Sequence, residues 1–364
     1  MTTAAAVSAA LSMAALPAQA AGKAGLLSVV GGTVVEYKTA TGKQSRITLT
    51  RTGNTVTVDD TVTIKVGAGC KPVKGDKTKA RCTPATAPTL LRVYAYDRTD
   101  TIVNNTDLPM TADGGTGNDK LTGGSIRDRL YGGSGNDVLK SGGGNDALYG
   151  ESGNDKLYGG AGNDELSDGP GTDAAWGGTG NDSFTNGTGN DRFYGESGND
   201  SYNSRQLTGK DADRYLGGPG VDTAAYTEYK SAVSVDLDGR KGDDGRTGEG
   251  DTIGADVENL IGGHGNDRLS GNAAANYIDG REGVDKLYGN GGNDTLIGHW
   301  GVDRLYGGSG DDWLDANYIP GVWEQYDEVT DWLDGGTNTA AGDTCVRQDF
   351  TSTTGCENLA GVEG

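Results

Sequence analysis

Aspartate returns every nine residues along the stretch 114–203, and that period limits the fold more than any other property of the chain. Ten nonapeptides follow one another without a gap, beginning GGTGNDKLT (residues 114–122) and including GGSGNDVLK, GESGNDKLY and GGAGNDELS. The sixth position carries Asp119, Asp128, Asp137, Asp146, Asp155, Asp164, Asp173, Asp182, Asp191 and Asp200. The eighth carries Leu121, Leu130, Leu139, Leu148, Leu157, Leu166, Ala175, Phe184, Phe193 and Tyr202. A fixed short period of this kind is the signature of a stacked repeat rather than a layered domain.

Composition agrees. Glycine makes up 65 of 364 residues, hydrophobic residues only 34 %, and there are three Phe and three Met, too little for an ordinary core. Such a Gly-rich, acidic chain would be disordered by default, but disorder requires no register. The net charge is −21, and almost all of the acid lies after residue 110. That balance repels nucleic acid and anionic membrane surfaces and favours cations. With no apolar run long enough to span a bilayer, membrane insertion is not expected.

One unit explains its own chemistry. Glycines at positions one, two and four permit left-handed dihedrals, and Asn at five is the next most tolerant residue. Positions one to six then turn, and seven to nine form a short strand with position eight inward. Two units make one coil, so residue i stacks on i+18 at about 4.8 Å, the spacing of paired strands. The expected fold is all-β: a two-sheet solenoid of 18-residue coils. Asp119, Asp137, Asp155, Asp173 and Asp191 fall in one column; Asp128, Asp146, Asp164, Asp182 and Asp200 fall in the other. Like charges in file oppose folding, and a hard divalent cation between coils would relieve them. Oxygen-only ligands in flexible number favour Ca2+ over Mg2+, and in so thin a core its binding should be folding free energy.

The rest of the chain divides around these units. Residues 1–20 (MTTAAAVSAALSMAALPAQA) read as a secretory signal peptide with a small-x-small end but no basic segment. Residues 21–112 read as a small β-rich N-terminal cap, with short Val/Thr/Ile runs at 33–37, 47–50, 55–58, 62–66 and 91–96. The first array occupies 113–225, with weaker units at Asp213 and Asp222 after a slip beyond residue 203. Residues 226–261 form a linker with a strand. The second array, 262–315, has Asp267, Asn276, Asp285, Asp294, Asp303 and Asp312 at the sixth position. Residues 316–364 are an aromatic-rich insertion and C-terminal cap. The four cysteines allow three pairings; joining Cys70 to Cys82 and Cys345 to Cys356 closes the shortest loops and suits an oxidising, extracellular location.

The motif GGxGxDxUx resembles the nonapeptide of the RTX, or haemolysin-type, calcium-binding repeat. The resemblance covers about half of the chain, and the linker (VDTAAYTEY…VSVDL…EGDTIGADVENLIGG) and Cys-containing ends look like those of secreted actinobacterial proteins of that family. It implies a right-handed parallel β-roll with calcium in its turns. It assigns the position-six aspartates as side-chain ligands. Turn glycines become carbonyl donors, among them Gly114, Gly132, Gly150, Gly159, Gly177, Gly289 and Gly307. Departures are the unit GGSIRDRLY with Ile126 and Arg127, the uncharged Asn276, and the small Ala175 and Ala224.

Two rival functions remain. An enzyme is disfavoured because HExxH and GxSxG are missing and the two histidines, His264 and His299, sit in repeat turns; hydrolysis of a polysaccharide or peptide by the pure protein would restore it. A surface- or glycan-binding adhesin would use the aromatics at position nine, Tyr158, Trp176 and Tyr194, which recur every 18 residues; a cross-strand ladder is the simpler use for them. The expectation is a secreted, non-catalytic protein whose partners are calcium ions.

Overall fold

In a computed structural model, the structure describes residues 22–205, 210–315, 332–337, 342–347, 352–354, 356 and 358–361. The leader 1–20 and most of the insertion after residue 315 lie outside the described residues.

The nine-residue units coil as their period requires. Lys120–Thr122 pairs in parallel with Val138–Gly143, so that Leu121 lies beside Leu139, and the file continues through Leu157 and Ala175 to Phe193. On the opposite side Leu130, Leu148, Leu166, Phe184 and Tyr202 make the same kind of file. All ten of these side chains are buried. The result is an all-β parallel solenoid, two sheets back to back, with a core one side chain wide from each sheet.

The N-terminal residues stack on the same axis. Arg46–Thr52 and Thr101–Asn105 run parallel to the first repeat strand, placing Ile47 and Ile102 in line with Leu121. Val34–Lys38 and Leu90–Tyr94 do the same on the other sheet. Antiparallel strands close this end: Gly25–Val30 covers Val34–Lys38, and Thr55–Asp59, Asp76–Cys82 and Cys70–Val73 extend the second sheet outward. An open parallel coil would expose a row of unpaired backbone groups, and these strands satisfy it.

Beyond residue 203 the pairing distance changes while the direction does not. Arg192 pairs with Arg214 and Ser201 with Thr223, after which Thr223 pairs with Asn259 and Arg214 with Thr252. Among the described residues one sheet thereby continues through 17 strands. The opposite one divides, among the described residues, into sheets of 12 and seven strands; in the latter the linker strand Val233–Asp236 lies between the antiparallel edge strand Gly245–Arg246 and the parallel Arg268–Ser270. The separation into two arrays is thus visible on one face only. Trp332–Thr337, Thr344–Arg347, Ser352–Thr354 and Asn358–Gly361 add further parallel strands at the C-terminal end. Cys70 is bonded to Cys82 and Cys345 to Cys356. Among the described residues no helix is long and apolar enough to cross a membrane.

Aromatic packing marks two places. At the slip, Phe184, Phe193, Tyr202 and Tyr215 fill the core with centroids 5.0–6.2 Å apart. These large rings take up the width that leucine fills elsewhere, and Ala175 lies between Leu157 and Phe193 in the same file. On the outer face Tyr158, Trp176 and Tyr194 stack at 4.6 and 5.4 Å with nearly parallel rings, as do Tyr131 with Tyr149 and Tyr288 with Tyr306. The ring faces of these ladders meet one another, leaving mainly edges outward, which is the geometry of a stabilising ladder.

Leu139→Ala is expected to lower unfolding stability by about 2–5 kcal/mol through the cavity it leaves. Tyr194→Ala, at the end of an outer ladder, is expected to cost about 0.5–1.5 kcal/mol. Denaturant titration of the calcium-loaded protein checks both.

Candidate metal centres

The aspartate at position six ends each turn and is turned inward rather than to solvent; Asp119, Asp128, Asp137, Asp146 and their successors are all buried. What holds the carboxylate there is an amide one coil back. The N–H of Asp119 donates to Asp137 Oδ1 at 2.7 Å, that of Asp137 to Asp155 at 2.7 Å, and that of Asp173 to Asp191 at 2.7 Å. The second column repeats it through Asp128, Asp146, Asp164, Asp182 and Asp200. The second array repeats it from Asp267 to Asp285, Asp285 to Asp303 and Asp294 to Asp312.

This ladder outlives the nine-residue period. It crosses the slip, with Asp191 N–H on Asp213 Oδ1 and Asp200 N–H on Asp222 Oδ1. Asp213 then donates to Asp251, Asp222 to Glu258, and Asp312 to Asp343. Upstream, Asp100 donates to Asp119 and itself accepts from Ser45. Asp251, Glu258 and Asp343 are not among the expected ligands, because insertions put them out of phase, although Asp251 keeps the Asp-x-apolar spacing of a unit, to Ile253. Asp100 lies outside both arrays and keeps only the Asp-x-apolar spacing of a unit, to Ile102.

The second carboxylate oxygen is left over. Oδ2 of Asp119, Asp137, Asp155, Asp173 and Asp191 is buried and has no hydrogen-bond partner; the same holds for Asp146, Asp164, Asp182, Asp200, Asp222, Asp285, Asp294 and Asp312. Three of the expected ligands differ. Asp128 Oδ2 accepts the N–H of Gly124, Asp267 Oδ2 that of Gly263, and Asp213 Oδ2 receives both the Asn186 amide and the Tyr202 hydroxyl.

Glycine at position one completes the cradle, by lacking a side chain. A Cβ on Gly132 would stand 2.5 Å from Asp137 Oδ2 and 2.7 Å from the carbonyl oxygen of Gly150, the equivalent glycine one coil on. Gly114, Gly159, Gly177, Gly289 and Gly307 each face the same pair of oxygens, and Gly150 faces Asp155 Oδ2 with the carbonyl of Asp168. This corrects the dihedral argument. Positive φ occurs at positions two and four, as at Gly133 (104°) and Gly135 (133°), but position one does not need it. Asn at five is not left-handed either. Its Oδ1 accepts an N–H from the next coil, as Asn118 does from Asn136 at 2.8 Å, so it forms a second ladder running the opposite way.

The family described as RTX calcium-binding nonapeptide repeat (4 copies) matches residues 113–148, 131–166, 149–184, 167–202, 252–287 and 280–314. These segments are RTX repeats. Comparison with curated proteins found no match. The rows of buried aspartate in the RTX coils fit calcium sites: where position one is glycine, as at Gly114, Gly132 and Gly159, the orphaned carboxylate oxygen shares a side-chain-free space with a carbonyl oxygen, and a hard cation takes oxygen ligands of both kinds. Calcium bound there would supply the positive charge that the amide ladder gives only to Oδ1.

The physical cause of the demand for a cation also needs correction. Burial is the largest influence on these carboxyls, pushing Asp119, Asp155, Asp164 and Asp182 up to about 7 and Asp285 up to about 8. The amide bonds pull the other way, and the neighbouring carboxylates of the column add less than burial does. Desolvation, ahead of repulsion along the file, is what a cation in an RTX turn must offset.

Two outcomes follow for the RTX coils. Gly132→Ala is expected to remove one calcium from the stoichiometry measured by calorimetry, and to cost about 1–3 kcal/mol through overpacking. The pH dependence has a definite sign. Folded-state pKa values raised above the unfolded value of about 3.9 mean that protons favour the calcium-free fold, with that stability lost as pH climbs through about 6–8. The β signal retained by the calcium-free protein should therefore be greater at about pH 5 than at about pH 8, while calcium affinity rises over the same interval.

Proposed function

We propose that this is a secreted, non-catalytic calcium-binding protein whose solenoid is consolidated by the ions it binds outside the cell. The observation that carries the reading is the two columns of buried Oδ2 atoms without a partner. An ionised carboxylate cannot remain sealed from water unneutralised. A chain with one core side chain per nine residues has little hydrophobic energy with which to offset the cost.

Other features support the finer points. The disulfides Cys70–Cys82 and Cys345–Cys356 suit an oxidising compartment, and the leader-like residues 1–20 suit export. The non-catalytic reading is supported by the use made of the two histidines. His264 Nδ1 lies 2.9 Å from Glu282, and His299 Nε2 lies 3.2 Å from Asp279, within the repeat turns. Calcium is scarce in the cytosol and abundant outside, so coupling the fold to calcium would delay coiling until after export.

Far-ultraviolet circular dichroism with millimolar calcium and with chelator tests the proposal. Chelation is expected to remove much of the β signal, and added calcium to restore it. The thermal midpoint should climb with calcium concentration, each site adding about 2.7 kcal/mol at a hundredfold excess over its dissociation constant. A β spectrum and thermal midpoint indifferent to chelator would overturn the coupling.

A further inference from the structure

Position one is glycine in seven of the ten units of the first array; Ser141, Asp168 and Asn186 break the rule. Each brings a polar side chain to the position where the cradle is otherwise left open. Ser141 donates its hydroxyl to the Gly159 carbonyl at 2.6 Å, using the acceptor that would line the space. Asn186 donates its amide to Asp213 Oδ2 at 2.8 Å. Both put a proton donor where a cation would otherwise sit. Asp168 does the opposite and adds an acceptor.

We propose that Asp168, Asp173 and Asp191 form a three-carboxylate calcium site that binds more tightly than the ordinary turns and is the first to fill. One carboxylate oxygen from each lies within 4.8 Å of those from the other two. Oxygens on opposite sides of one calcium stand about 4.6–5.2 Å apart, given bonds of about 2.3–2.6 Å, so the triad has the dimensions of a single coordination shell. Asp168 is 1 % exposed. Its Oδ1 accepts the N–H groups of Gly169 and Gly187 at 2.7 and 2.6 Å, and its Oδ2 has no partner. Asp173 and Asp191 likewise direct Oδ1 to the amide ladder and keep Oδ2 unpartnered. One carboxylate oxygen from each of three buried aspartates thus converges where a coil with glycine at position one has no third carboxylate to offer. Affinity for calcium rises with the number of charged ligands, and this coil holds one more than its neighbours. The surface group Asp236, Asp238 and Asp243 is of a different kind, since two of its members are exposed.

The inference rests on the calcium-binding reading, and the test separates the two. Full-length protein is titrated with calcium by calorimetry, and with terbium by luminescence, as wild type, Asp168→Gly, Asp168→Asn and Asp137→Asn. Asp168→Gly installs the usual residue of position one; Asp168→Asn keeps the shape and removes the charge. Wild type is expected to show one site at least about ten-fold tighter than the rest, which a further charged ligand would produce. Both Asp168 variants should lose that class and retain the weaker ones, whereas Asp137→Asn should lose a weak site and keep the tight one. A wild type with uniform sites, or Asp168 variants that keep the tight class, would overturn the triad and leave the calcium reading standing. A wild type that takes up no calcium would overturn both.

Discussion

Everything in this solenoid depends on one hydrogen bond, from the backbone N–H of each position-six residue to the carboxylate of its counterpart a coil later. That bond draws a charged side chain into the turn, where water does not reach it. It satisfies one oxygen and leaves the other without a partner. The rest of the unit follows. Position one must be glycine where the carboxylate and the next carbonyl occupy the space of a Cβ, as at Gly132. Position two bends back with positive φ, and even Glu151 and Glu196 accept that conformation there. The edges of the roll therefore carry a standing electrostatic cost, and the chemistry that relieves it is the chemistry of an oxygen-seeking cation.

The hydrophobic core has a different part. Its two facing files, mostly leucine, set the distance between the two sheets, and they tolerate interruption because each coil contacts only its neighbours. At the slip the file is rebuilt from Phe184, Phe193, Tyr202 and Tyr215. Insertions of different length after residues 203 and 225 leave strand direction and carboxylate ladder intact. The ladder persists across the slip and the linker as far as Asp251 and Glu258 and starts afresh in the second array, where Val233 donates to Asp267; the spacing of nine is only the shortest way to build it. Asp251, Glu258 and Asp343 enter by the longer way.

The repeat was legible because a unit is local: one turn and one short strand lie within nine residues, so residue types report directly on position. The 18-residue stacking and the two aspartate files followed from strand geometry alone. The N-terminal segment was less legible. Its Val- and Thr-rich alternation fits any half-buried strand, and nothing in it discloses that Ile47 and Ile102 stand in the same file as Leu121. The part of Asn118 and its equivalents was misjudged, since their ladder is made between coils and a single unit contains no sign of it.

Sequence alone therefore determined the parallel coil, the identity of its inward residues, and the acidic, oxygen-only character of its edges. These are set by local periodicity and by charge. Tertiary structure decided which oxygen of each carboxylate is satisfied, and which aspartates, such as Asp128, Asp213 and Asp267, are already supplied with donors. It also decided that Asp168 faces Asp173 and Asp191. The reason is physical: a hydrogen bond between coils depends on how two distant segments meet in space, and residue order within either segment does not specify that meeting.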